Sequence, residues 1–142
     1  MSSMKDKVFI DTNILVYASL QDDLSKHEKA ISFLNELKGN TIFVSAQVMS
    51  ELSVTLLKHH LAEEKIINIL EQVADTFNVS ATTLETVTRA WKIKKKYRFS
   101  YWDSLIVAAA LENDCTLLAS EDLQNGQMLD RKLRIVNPLE HI

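Results

Sequence analysis

Glycine and proline are scarce in this sequence of 142 residues, which holds two of the first and one of the second. Tight turns lean on these residues, so the shortage excludes a loop-rich architecture and points to helices and strands joined by short connections. Cysteine is almost missing too. Cys115 stands alone, which excludes an intrachain disulfide and a cysteine-rich zinc site and suits a reducing, cytoplasmic location. It precedes the apolar run Thr116-Leu117-Leu118-Ala119 and is expected to be a small buried side chain rather than a nucleophile. Long apolar runs are absent. The longest, Leu105 to Leu111, is much too short to cross a bilayer, and Met1–Lys7 carries no apolar signal core. No excess of positive charge is present, since 16 Lys and Arg face 19 Asp and Glu for a net charge of −3. A passive nucleic-acid-binding module is usually basic. An acidic balance is less awkward for an enzyme whose site is lined with carboxylates.

What is present is ordinary for a soluble globular chain, with 46% hydrophobic and 25% charged residues. The length suits one domain over residues 1–142. Val8-Phe9-Ile10 predicts a buried strand that ends at Asp11, and Thr12 to Leu20 a short helix or turn. Ser25 and Glu28 have capping-box spacing ahead of a helix closed by Gly39-Asn40. Thr41–Val44 predicts a second strand, with Ser45 capping a helix in which Val48, Leu52 and Leu56 recur every four residues. A further helix runs from Ala62, and Phe77–Val79 is a short strand. Thr82 and Glu85 form a second capping box, opening a helix that reaches Tyr97. The segment from Ser100 to Asn113 is apolar nearly all round and predicts a central helix. Thr116–Ala119 and Leu133–Val136 bring the set to about five strands. Strands alternating with helices predict an α/β sandwich on a parallel sheet. Ligands in such folds bind beyond the carboxyl ends of the strands, where strand order reverses.

Four acids follow that rule or stand beside it. Asp11 directly follows the first strand, and Asp122 lies three residues past Ala119. Glu51 borders the apolar stripe of its helix, three residues from Val48 and next to Leu52. Asp103 opens the most apolar helix, in line with Ile106 and Ala110. Gathered at one sheet edge, four carboxylates would raise one another's pKa values. A hard divalent cation, Mg2+ or Mn2+, would remove that penalty. Each acid also has a plainer role. Asp11 could cap the helix that follows, Asp103 could complete a capping box with Ser100, Asp122 could be a turn residue before Gly126, and Glu51 could be an exposed flank charge.

Taken together, the segments match a known pattern. Val8-Phe-Ile-Asp-Thr-Asn-Ile-Leu-Val16 resembles the opening of PIN domains. Val44-Ser-Ala-Gln-Val-Met-Ser-Glu-Leu52 resembles their second motif, Tyr101-Trp-Asp-Ser-Leu-Ile-Val-Ala-Ala-Ala110 their third, and Leu118-Ala-Ser-Glu-Asp122 their fourth. The order is that of the family, and size and motifs look most like its stand-alone bacterial members, the VapC-type toxins of toxin–antitoxin pairs. The resemblance implies a three-layer α/β/α sandwich around a parallel sheet of about five strands. It implies Mg2+- or Mn2+-dependent hydrolysis of RNA, leaving a 5′-phosphate and a 3′-hydroxyl, a cognate small antitoxin protein and a homodimer. Carried over by position, Asp11, Glu51, Asp103 and Asp122 become catalytic metal ligands, direct or through water, with Asn13 and Ser120 steadying them. Glu121 adjoins Asp122 as a rival, although the Ser-x-Asp register favours Asp122.

Other residues have two readings. Lys92, Lys94, Lys95, Lys96 and Arg98 form a basic cluster before Asp103. It could hold RNA phosphates, with Tyr97 stacking on a base, or it could be a solvated helix end favoured by the dipole. His27, His59 and His60 are expected on the solvated surface, and Trp91 and Trp102 in the core or a dimer interface. Two other functions share part of this pattern. A haloacid-dehalogenase-type phosphatase also follows its first strand with Asp, but it needs a second Asp where this chain has Asn13. A PIN-like binding or assembly module without turnover would have little use for all four acids.

Overall fold

The computed structural model describes residues 6–140. Residues 1–5, part of the stretch without a signal core, lie outside them, as do residues 141–142. The chain runs β1 (Lys7–Ile10), α1 (Thr12–Ser19), α2 (Leu24–Glu36), β2 (Thr41–Ser45), α3 (Ala46–Lys58) and α4 (Glu63–Thr76). It continues through β3 (Asn78–Ser80), α5 (Leu84–Tyr97), α6 (Tyr101–Glu112), β4 (Leu117–Ala119), β5 (Met128–Leu129) and β6 (Leu133–Val136). Among the described residues no helix is long and apolar enough to cross a membrane.

The strands form one sheet in the order β3-β2-β1-β4-β6-β5. All neighbours are parallel except β5 and β6. From β1 the chain steps outward to β2 and β3, then returns to place β4 on the other side of β1. Right-handed crossovers therefore put α1 to α4 on one face and α5 and α6 on the other. The packing agrees: α1 lies against α2 and α3, α3 against α4, and α5 against α6. This is the expected α/β/α sandwich with one correction, since the sheet has six strands and its edge is antiparallel. β5 is two residues long, too short to leave a period-two pattern in the sequence.

Burial explains the central elements. Val8, Phe9 and Ile10 are fully buried in β1, as are Val48, Leu52 and Leu56 along one stripe of α3. Every residue of α6 from Ser104 to Leu111 is buried, so this helix packs on several sides at once, as its uniform apolarity predicts. Cys115 is buried and its thiol is pushed up to about 12 by burial, which leaves it inert.

Two helix starts differ from expectation. Asp23, not Ser25, caps α2, its carboxylate accepting from the Lys26 amide at 3.1 Å. The Asp23 carboxylate caps two residues earlier, so Ser25 falls inside the helix. Thr83, not Thr82, caps α5 in a reciprocal pair with Thr86. Ser45 caps α3 as expected, accepting from Val48 N–H at 3.3 Å.

The β5–β6 hairpin carries strain. Lys132 N–H donates to the Leu129 carbonyl at 2.9 Å, across Asp130 and Arg131 at φ 51° and 58°. That is a tight turn with left-handed backbone at both central positions, inside the three-residue loop between Leu129 and Leu133. A residue with a Cβ loses about 1–2 kcal/mol there. Asp130 is compensated, because its carboxylate accepts from Tyr97 and Lys96. Arg131→Gly should therefore raise stability by about 1 kcal/mol in a urea melt. An unchanged or lower midpoint would show that this turn is relaxed.

Candidate active site

The reversal of strand order places the crevice outside the carboxyl ends of β1 and β4. Asp11 follows β1, and its backbone N–H continues the ladder by donating to the Ala119 carbonyl at 2.9 Å. Ser120 to Asp122 follow β4. Glu51 reaches the crevice from α3 and Asp103 from the first turn of α6. The cleft, of ≈ 560 Å³, is lined by all four carboxylates.

Asp11 is the most buried of them, with 4% of its surface exposed. One carboxylate oxygen accepts from Thr12 N–H at 2.7 Å and the other from Ser120 Oγ at 2.8 Å. Desolvation outweighs both bonds and pushes its pKa up to about 7, with Asp122 and Asp103 adding repulsion. Asp11 also caps α1, the plainer of the two roles offered by the sequence. Asp103 is half-buried and shifted upward by desolvation and then by Asp122, with Glu51 adding to the shift. Ser100 caps its helix by accepting from Asp103 N–H at 3.1 Å.

The other two acids are held by neighbours. Asn13 Nδ2 donates to Asp122 Oδ2 at 3.0 Å, while its Oδ1 accepts from Glu121 N–H at 3.2 Å. Ser120 Oγ, besides donating to Asp11, accepts from Asp122 N–H at 3.1 Å. Glu51 accepts from Thr12 Oγ1 at 2.7 Å and from Gln47 Nε2 at 3.2 Å. Glu121 turns elsewhere, to an ion pair with Lys26 and a bond from the Tyr17 hydroxyl at 3.0 Å. Asp122, not Glu121, lines the cleft.

Thr12 and Gln47 join the site without appearing among the residues expected there. Gln47 was findable, since it sits four residues before Glu51 on the same helix face. Thr12 carries no sequence signal beyond adjoining Asp11. Of the tryptophan and histidine expectations, that for His27 needs correction and the others are narrowed. Trp91 and Trp102 are 56% and 61% exposed, so neither is a core residue. Trp102 borders the cleft, and Tyr101 packs between the two indoles at ring-centre distances of 5.1 and 5.0 Å. His27 is half-buried, with Nδ1 bonded to the Tyr17 carbonyl at 2.8 Å. His59 is exposed, but it lines the cleft and bonds Asp22 Oδ2 through Nδ1 at 3.0 Å.

None of Lys92, Lys94, Lys95, Lys96 and Arg98 lines the cleft. Lys96 Nζ bonds Asp130 at 2.8 Å, and the Tyr97 hydroxyl is held by the same residue. The Tyr97 ring is stacked on Phe99 at 5.6 Å.

The donor set is all oxygen, which suits Mg2+ or Mn2+ over zinc. Among the described residues, no three His, Cys, Asp or Glu side chains form a group that could hold an ion unaided. Mg2+ rarely needs such a cage, because it keeps several waters and takes one or two carboxylates. A buried carboxyl that resists ionisation beside two further acids fits a missing positive charge.

The family model described as PIN domain matches residues 8–125. The chain belongs to the PIN-domain family. Its fold is shared with solved structures of low sequence identity. A chain of the DNA-bound VapBC complex from Salmonella typhimurium is 18% identical, with 93% of this chain and 97% of that one covered and a TM-score of 0.68. A chain of VapBC2 from Rickettsia felis, bound to a promoter DNA fragment, is 19% identical, with coverages of 92% and 99% and a TM-score of 0.67. VapC20 of Mycobacterium tuberculosis, a toxin that cleaves the sarcin–ricin loop, is 16% identical, with coverages of 81% and 89% and a TM-score of 0.65. No curated protein sequence matches the chain.

Proposed function

We propose that this PIN domain is a metal-dependent endoribonuclease and the toxin of a type II toxin–antitoxin pair. The observation that carries the reading is the convergence of Asp11, Glu51, Asp103 and Asp122, from four separate parts of the chain, on one cleft. Family membership and the likeness to VapBC chains support it.

Asp11, Glu51, Asp103 and Asp122 are the residues that would hold Mg2+ or Mn2+. A divalent ion there supplies a water of lowered pKa and offsets charge on the phosphate. The protein's own part is positioning. Ser120 and Thr12 N–H fix both oxygens of Asp11, Asn13 fixes Asp122, and Thr12 and Gln47 fix Glu51. In the reaction a water oxygen bonds to phosphorus, the bond from phosphorus to the ribose 3′ oxygen breaks, and a proton ends on that oxygen. The products carry a 5′-phosphate and a 3′-hydroxyl.

The test is cleavage of a structured RNA with Mg2+ or Mn2+, with EDTA as the control. Equal cleavage in EDTA, or none with metal, would overturn the reading. A generic aryl phosphate assayed alongside separates a nuclease from a phosphatase. A small open reading frame beside the gene would supply the antitoxin, and its absence would favour a solitary nuclease. The reading places the protein in the cytoplasm.

Two surface features enter this reading. Lys92 and Lys95 are exposed on the last turns of α5, where they are free to meet RNA phosphates. Replacing both by alanine should lower the salt slope of RNA binding by about two, one per lost phosphate contact. An unchanged slope would make them a solvated helix end. Exposed Trp91, packed on Tyr101, fits the interface of a homodimer, where aromatic residues are enriched. Trp91→Glu should shift the protein to monomer in sedimentation velocity, and an unshifted species would place the interface elsewhere.

A further inference from the structure

The cleft is long as well as acidic. Beyond the four carboxylates at the sheet edge, it continues between α1 and α3 to Asp22, Asp23 and His59. Its wall therefore carries six carboxylates and no Lys or Arg. A polyanion entering it meets one side chain able to carry positive charge, His59.

His59 is placed for a purpose. It follows α3 directly, and Glu51, Thr55 and His59 recur every four residues along one side of the helix, all lining the cleft. Eight residues of helix span roughly 12 Å. Asp22 Oδ2 holds Nδ1 at 3.0 Å, and Nε2 has no partner among the described residues. A carboxylate on one ring nitrogen fixes the orientation of the imidazole, whose other nitrogen is also a donor when the ring is charged. At that span His59 is out of reach of a phosphate reacting beside Glu51 but in range of another phosphate on the same strand.

Resting on the nuclease reading, we propose that His59, oriented by Asp22, binds an RNA backbone phosphate flanking the one that is cleaved. The groups sharing the cleft with it are the six carboxylates and the Tyr17 phenol. A charged imidazole at the far end of the cleft sets which way the strand lies across the metal site. His59 is thus a positioning residue for substrate.

The experiment uses the full chain carrying Asp11→Asn, with Mg2+ and a fluorescein-labelled RNA that the unmodified protein cleaves. Binding is measured by anisotropy over a salt series near pH 6, where histidine carries charge. Adding His59→Ala should weaken binding about tenfold and lower the salt slope by about one. His59→Arg should restore both, and Asp22→Asn should give a smaller loss. The proposal is overturned if His59→Ala leaves affinity and slope unchanged. It is overturned equally if affinity falls with no change in slope and no rescue by arginine, because His59 then only braces the end of α3. If the unmodified protein cleaves no RNA, the nuclease reading itself fails, which is a separate outcome.

Discussion

Asp11→Asn is expected to lose RNA cleavage by on the order of a thousandfold or more, while the protein stays folded. The substitution is nearly isosteric. The asparagine oxygen still accepts from Thr12 N–H, and its amide offers an N–H to Ser120 Oγ, so both fixed contacts of Asp11 keep a partner. What disappears is the negative charge at the most buried point of the cleft. The same change removes a group whose ionisation burial opposes, so the variant should also be the more stable protein above pH 7 in the absence of divalent metal. Activity by a gel assay and stability by urea melts read the two effects independently. Wild-type turnover in Asp11→Asn would remove Asp11 from the chemistry, and lower stability at pH 8 would mean that its carboxyl is not held against ionisation.

Unsubstituted protein in EDTA should lose stability as pH rises from 4 to 7. The Asp11 carboxyl is shifted from 3.8 to about 7, so between those values the folded chain binds a proton that the unfolded chain has released. Stability then falls with pH, by about 1.4 kcal/mol per unit and about 4 kcal/mol in all. Asp103 is shifted upward as well and works in the same sense. Below pH 4 the contribution is fully present, and above 7 the loss levels off. Mg2+ at pH 8 should restore much of it, because an ion that binds only the folded chain stabilises it. In Asp11→Asn most of the slope and most of the metal effect should be gone. A flat profile from pH 4 to 7, or equal stabilisation of both proteins by Mg2+, would contradict this electrostatic picture.

Much of the site was legible because its signals are local. A β-branched, apolar run ending at Asp11 marks a strand edge. Ser120 and Asp122 repeat that arrangement after β4, and the positions of Glu51 and Asp103 follow from helix periodicity. The rule that ligands gather where strand order reverses then brings these segments to one edge. What escaped depends on contacts between distant segments. Nothing near His59 announces that the α1–α2 loop folds across to bond it, a separation of 37 residues. Thr12 was visible only as a neighbour of Asp11, yet its hydroxyl reaches Glu51, 39 residues away. For Trp91 and Trp102 residue type left core and interface both open, and only the outward-facing helix surfaces that carry them remove the core. The α2 cap shifted because two overlapping cap patterns compete within three residues, which sequence spacing alone does not rank.

The hydrogen bond from Ser120 to Asp11 joins residues 109 positions apart, and β1 finds its inner neighbour β4 only across the same span. Until synthesis has passed Ser120, Asp11 has neither that hydroxyl nor the strand beside it, and Asp103 and Asp122 have no partner edge to face. The carboxylate cleft is therefore completed late in synthesis, once β4 and the residues after it are available to β1. If the proposed nuclease reading holds, timing of this kind would spare the message and the machinery that is making the protein.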